Sequence, residues 1–231
     1  MNFKKNKNYF LGGDIHFFVG IALAVIGAAL LFMGFMWIYI IGYYLQNALS
    51  IALIAGGVAL AYIPRMTRSS DEQLEADIAA RMKQNAESAV NYLGKDIKDE
   101  YEDPTVLGHY IYEGDDVLIR RALKDGRYHS SLYSGTVVAF RKKGVYVSKE
   151  IFSLISEYSS RETADIPFSD EPHAFVETVD YVIPTGDSPK RQMSEFVITV
   201  GGEEKIRVQA KNTVTLDELC NRINDAVKYK K

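Results

Sequence analysis

The chain has one cysteine, Cys220, in 231 residues. That excludes an internal disulfide framework and suits a reducing compartment. Between Ile15 and Pro64 there is no Asp, Glu, Lys or Arg, so this stretch lacks the polar face that a soluble surface helix shows. The sequence contains no G-x-S-x-G, P-loop, G-x-G-x-x-G, H-E-x-x-H or C-x-x-C. A motif-borne nucleophile, phosphate cradle, dinucleotide site or zinc site is therefore not written in it. Its four histidines, His16, His109, His129 and His173, are scattered, whereas a metal centre needs two or three to converge with carboxylates. Cys220 falls on an apolar helical face, where cysteine packs as a small hydrophobe. No catalytic residue, metal ligand or cofactor is assigned.

What is present is unevenly distributed. The net charge of -3 hides a basic excess in residues 1–70, where five basic residues face one acid, Asp14. The rest of the chain is acidic, which argues against nucleic acid as a partner, since phosphate contacts need a basic surface.

The apolar stretch as one helix would be roughly 75 Å long, against about 30 Å for a bilayer core. The length predicts a transmembrane helical hairpin over residues 15–64, with spans at about 17–41 and 45–63. "GYYLQNAL" (42–49) lies at its tip. Lys4, Lys5 and Lys7 precede the first span and Arg65 and Arg68 follow the second. The positive-inside rule then puts both termini in the cytoplasm and the protein in the plasma membrane. Gly20, Gly27 and Gly34, recurring every seven residues, and Ala24 in the first span, with Ala48, Ala52, Gly56 and Gly57 in the second, are small residues that let helices approach closely. They serve packing within the pair or self-association, with the bilayer and another membrane protein as the other partners.

Beyond residues 1–14 and the hairpin, residues 65–105 read as a juxtamembrane helix and linker. Leu74, Ile78, Met82, Ala86, Ala89, Val90 and Leu93 form one stripe at helical spacing. The stripe needs a cover, either the chain's own C-terminal domain or another subunit. From 106 to 231 the period changes to two. "GTVVAF", "GVYVS", "AFVETVDYVI", "EFVITV" and "KIRVQA" read as strands. Phe196, Ile198 and Val200 answer Ile206 and Val208 across Gly201-Gly202, a hairpin. Leu216, Leu219, Cys220, Ile223 and Val227 form the apolar face of a closing helix begun at Thr215.

This order of strands and helix resembles bacterial pleckstrin-homology-like and GRAM-like domains over roughly residues 113–228. "GDDVLIRRAL" is similar to their opening strand, "SGTVVAFRKKGVYVS" to their second hairpin, "DIPFSD" to a strand and turn written "IPYSDI" in many members, and "FVITVGGEEKIRVQAKNTVTLDELCNRINDAV" to the last hairpin and helix. Glu171-Pro172-His173 departs from that pattern. The resemblance implies an α+β membrane protein whose C-terminal antiparallel barrel or sandwich is closed by one helix. It also implies that basic turn residues hold lipid phosphates, which nominates Arg141, Lys142, Lys143, Lys190 and Arg191, and clustered cations gain attraction to anionic lipid. The expected function is a membrane-anchored, non-enzymatic scaffold or regulatory subunit whose cytoplasmic domain binds a protein or peptide. A lipid-headgroup module is the alternative, and a subunit of a transport or envelope complex a remote third.

Overall fold

Two compact units divide the chain, residues 2–70 and residues 71–231. The structure is a computed structural model that describes residues 1–12, 15–32, 42–97, 103–122, 126–185, 190–210 and 213–229.

Among the described residues the first unit holds three helices, α1 (Phe3–Leu11), α2 (Ile15–Phe32) and α3 (Tyr43–Met66). Asn2 caps α1 by accepting the Lys5 N–H at 3.1 Å, a usual N-cap bond. Polar contacts tie α1 to the end of α3. The Ser69 hydroxyl donates to Asn6 Oδ1 at 2.5 Å, and Asn8 Nδ2 donates to the Thr67 carbonyl at 3.1 Å. α2 and α3 run antiparallel. Gly20 stands opposite Gly57 and Ala61, and Gly27 opposite Ser50 and Ile54. At the other end Gln46 Nε2 donates to the Leu30 carbonyl at 2.9 Å. Gln46 is buried, so this residue of the polar notch is a contact within the helix pair and not a hydrated tip. The outward side chains are apolar, with Phe18, Val25 and Ile26 on α2 and Leu45, Ile51 and Tyr62 on α3 exposed.

The expected two-span hairpin is corrected here. Among the described residues one helix, at Tyr44–Ile63, is long and apolar enough to cross a membrane. Its 20 residues reach roughly 30 Å, the thickness of the hydrocarbon core. α2 has 18 residues, roughly 27 Å, and α1 cannot extend it, because the two meet at 71°. Residues 33–41, with Gly34, lie outside the described residues.

The second unit begins with α4 (Asp71–Leu93). Its acidic first turn, Asp71 and Glu72, suits the positive end of the helix dipole. Leu74, Ile78, Met82, Asn85, Ala89 and Leu93 are the buried stripe. Ala89 and Leu93 pack on Val137, Ala139 and Tyr146, and Met82 sits over Gly135. The stripe is therefore covered by the chain's own sheet. Burying each Leu or Ile contributes roughly 1.5–3 kcal/mol, more than helix propensity supplies.

Among the described residues nine strands follow: β1 (Thr105–Ile111), β2 (Ile119–Arg121), β3 (Tyr128–Ser130), β4 (Leu132–Arg141), β5 (Gly144–Ser153), β6 (Ser159–Pro167), β7 (His173–Val182), β8 (Lys190–Val200) and β9 (Glu203–Ala210). They form three antiparallel sheets, ordered β1-β4-β5-β6, β2-β3 and β7-β8-β9. The β8–β9 hairpin turns on Gly201 (φ 59°) and Gly202 (φ 85°), the positive pair that a tight hairpin needs and that glycine adopts without cost. α5 (Thr213–Lys228) closes the chain, starting two residues before the expected Thr215 cap. Its Leu216, Leu219, Cys220 and Ile223 join Val138, Phe140, Val145 and Val147 from the first sheet and Phe196, Ile198, Ile206 and Val208 from the last in one core.

The closed pleckstrin-homology-like barrel is also corrected. Among the described residues none of the three sheets closes on itself. β1 lies beside β9 without a ladder between them. Between β6 and β7 the chain makes a 3₁₀ turn at Phe168–Asp170 and then a left-handed Glu171. Pro172 follows with no N–H to donate, so pairing stops there. The free edge of β7 is capped by a side chain: Asn224 Oδ1 accepts the Ala174 N–H at 2.9 Å and Asn224 Nδ2 donates to the Ala174 carbonyl at 2.8 Å. "GDDVLIRRAL" supplies only the three-residue β2, and the first long strand is β1, upstream of the matched region.

Candidate functional site

Side chains alternate across a strand, and β4 shows what that produces. Val137 and Ala139 point to α4, while Val138 and Phe140 point into the core between the sheets. Ser134 and Thr136 share the core-facing parity. They are 1% and 0% exposed, and their hydroxyl oxygens have no hydrogen-bond partner. The neighbours change character at the same level. Ser134 pairs with His109 on β1 and Ile151 on β5, and Thr136 with Leu107 and Lys149. One face thus has an apolar half, covered by α5, and a polar half. A buried hydroxyl left without a partner costs about 1–3 kcal/mol, so the polar half calls for water or a ligand.

The polar half opens as a cleft of two adjoining chambers that share His109, Tyr112 and Tyr181. The Tyr112 and Tyr181 rings stand 5.7 Å apart, and Tyr112 is fixed by donating its hydroxyl to the Tyr128 carbonyl at 2.7 Å. The larger chamber, about 420 Å³, adds Tyr110, Tyr128, Arg127, Arg191 and the apolar Ile183 and Met193. The smaller, about 390 Å³, adds Ser134, Lys149, Glu195, Glu204, Arg207 and Gln209. Each falls in the about 300–1,000 Å³ range of ligand pockets.

The electrostatics of the chambers differ. In the smaller one the charges satisfy each other. Arg207 bonds Glu204 at 2.8 Å, Glu195 at 2.5 Å and Glu177 at 2.9 Å. These hydrogen bonds, Glu204 first, hold its guanidinium well above the usual range. Lys149 Nζ donates to the Arg207 carbonyl at 3.1 Å, and Gln209 to Glu195 at 2.8 Å. Among the described residues no carboxylate lines the larger chamber. Its Tyr112 and Tyr181 phenols are held neutral. Burial, and then neighbouring Tyr181, raises Tyr112. Burial, then Glu113, pushes Tyr181 up to about 12. Both remain hydrogen-bond donors throughout the neutral range.

The five cations expected to hold lipid are not brought together. Arg141 donates from Nε to Asp96 at 2.8 Å and pairs with Asp165 through Nη1, which raises its pKa, chiefly through the Asp96 bond. Lys142 and Lys143 are exposed on the β4–β5 turn. Lys190 is exposed at the head of β8, and Arg191 next to it lines the larger chamber. Arg141 lies seven residues along β4 from Ser134, roughly 23 Å of extended chain. Of the small residues, a Cβ on Gly20 would stand 2.5 Å from the Gly57 carbonyl oxygen, and one on Gly57 would stand 2.6 Å from the Ala24 amide nitrogen. A Cβ on Gly27 would meet the Ser50 carbonyl oxygen at 2.8 Å. Gly56 faces open space and Ala52 is exposed, so Gly57 is the close-approach residue of α3.

A further cluster lies between α4 and β5. Glu150, 2% exposed, accepts from Arg81 at 2.6 Å, from Arg161 at 3.5 Å and from Asn85. These are structural contacts that lock α4 to the sheet. Among the described residues no group of three His, Cys, Asp or Glu side chains is placed to hold a metal ion.

Sequence reasoning missed the cleft. Its only trace is the polar pair in "YSGTVVAF", where Ser134 and Thr136 occupy core-facing positions of a strand otherwise apolar on that face. Comparison with family models, with curated proteins and with solved structures returns no match.

Proposed function

We propose that the chain is a membrane-anchored, non-enzymatic scaffold or regulatory subunit, and that the sheet domain binds a protein or peptide partner in the cleft around Tyr112 and Tyr181. The anchor in this reading is α3. Arg65 and Arg68 follow its apolar segment, so the positive-inside rule assigns residues 71–231 to the cytoplasm. The outward apolar side chains of α2 and α3 support the reading, because an exposed apolar surface of that extent needs a membrane or a partner.

The observation that carries the binding role is the polar half of the sandwich interior, with the buried, unpartnered Ser134 hydroxyl in the cleft lining and that of Thr136 beside it on the same strand face. A domain built only for stability would fill those positions with apolar side chains. A distant relationship to pleckstrin-homology-like domains is part of the proposal on strand order and the C-terminal helix alone, without the closed barrel. The headgroup reading stands second. Lys142 and Lys143 support it, but Arg141 is held by two carboxylates.

The test is co-purification of the full-length chain from its native membranes in mild detergent, comparing wild type with Ser134→Leu, which fills the cleft floor with an apolar group. The expected result is a defined partner with wild type, lost with Ser134→Leu at unchanged or higher thermal stability. Equal recovery from both removes the cleft from the reading, and recovery of nothing but the chain itself counts against a hetero-complex.

A further inference from the structure

We infer that the larger chamber recognises a single carboxylate on an acidic peptide segment, with Arg191 as its counter-ion and the Tyr181 phenol as donor. The inference rests on the partner-binding reading above and names the group recognised. Three observations carry it. First, the lining is rich in donors and poor in acceptors. Four tyrosines and two arginines surround the space, and among the described residues no carboxylate lines it. The Tyr112 hydroxyl already donates to the Tyr128 carbonyl and that of Tyr110 to Glu75, whereas the buried Tyr181 hydroxyl has no partner among the described residues and is free to donate to an anion.

Second, the two chambers treat their cations differently. Arg207 is saturated by three carboxylates. The Arg191 guanidinium, by contrast, makes no hydrogen bond or ion pair to any described residue, although its charge is felt at Tyr112. A guanidinium at the wall of an aromatic pocket binds carboxylate bidentately, and such charge-assisted bonds are roughly twice as strong as neutral ones.

Third, the smaller chamber adds no net attraction for an anion, because its Arg207 is matched by Glu177, Glu195 and Glu204, so the charge that selects the ligand sits in the larger chamber. The unpartnered Ser134 hydroxyl at the floor adds a further donor for the segment that carries the acid.

The experiment measures fluorescence anisotropy of labelled nonapeptide pools with the full-length chain in detergent micelles. Four pools carry a fixed central pair, Glu-Glu, Gln-Gln, Lys-Lys or phosphoserine-phosphoserine, with the other positions randomised. The expected result is tightest binding of the Glu-Glu pool, weakened by salt. Arg191→Glu should weaken it by roughly ten- to a hundredfold, and Arg191→Lys should restore part of the affinity. Arg191 is exposed, so neither change threatens the fold. Tighter binding of the phosphoserine pool reassigns the chamber to a phosphate and overturns the carboxylate. Equal binding of the Glu-Glu and Gln-Gln pools, unaffected by Arg191→Glu, overturns the inference but leaves the cleft reading standing. Failure of the Glu-Glu pool to bind also overturns it. The cleft reading falls as well only if Ser134→Leu leaves partner recovery unchanged.

Discussion

Glu150 shows how one side chain joins two elements. Its carboxylate is withdrawn from water at the α4–β5 contact and receives Arg81, Arg161 and Asn85. Removing it leaves two guanidinium groups facing each other, but both are partly exposed and recover water. The cost therefore falls below the 3–5 kcal/mol of a fully buried broken pair. Glu150→Ala is expected to destabilise the second unit by about 2 kcal/mol, read as a melting temperature lower by roughly 4–8 °C in the full-length chain. An unchanged melting temperature would show that the apolar stripe of α4 holds the helix without help. Cys220 shows the opposite residue-scale lesson. Burial and Asp217 push its thiol up to about 11, so it sits in the core as a protonated hydrophobe.

At the scale of elements, the α2–α3 pair depends on backbone approach and not on side-chain bulk. Gly20 and Gly57 face each other so closely that a Cβ on either meets the other's carbonyl oxygen at 2.5 Å. The obstacle is backbone, which cannot swing aside. Gly57→Leu is expected to separate the helices and lower the melting temperature of the detergent-solubilised chain through an overpacking cost of about 1–3 kcal/mol. Gly56→Ala next to it meets nothing within 4 Å and is expected to be neutral or stabilising by up to about 1 kcal/mol. Similar losses from both substitutions would refute the close approach. Gly20 and Gly27 were legible as packing residues from their seven-residue spacing. The choice between Gly56 and Gly57 was not, because one residue turns the side chain by about 100° around the helix, and only the packed pair reveals which direction faces the partner.

At the scale of the whole molecule, the proposed anchor assigns the sheet domain to one side of a membrane. Tyr44 and Ser70 bracket α3, and both are exposed. In a Cys220→Ser background, a membrane-impermeant maleimide is expected to label Tyr44→Cys in intact cells and Ser70→Cys only after lysis. Labelling of Ser70→Cys in intact cells would reverse the orientation and with it the cytoplasmic placement of the cleft. Tyr44 is the better probe than Gln46, because Gln46 is buried against α2.

The sequence by itself determined the elements whose pattern is local. The apolar stretch, the α4 stripe, the β8–β9 hairpin around Gly201-Gly202 and the apolar face of α5 all follow from periodicity and turn chemistry, which act over a few residues. Tertiary structure decided everything that depends on what lies across a gap. It divided the apolar stretch into a short α2 and a longer α3, left the sheets open where Glu171 and Pro172 interrupt pairing, and gave Arg141 to Asp96 and Asp165. It also gathered Tyr112, Tyr181, Arg191 and Ser134, spread over nearly eighty residues of chain, into one cleft. Strand alternation says which face a residue occupies. Whether that face meets oil, water or a ligand is set by the sheet and helix opposite it, and no local pattern carries that information.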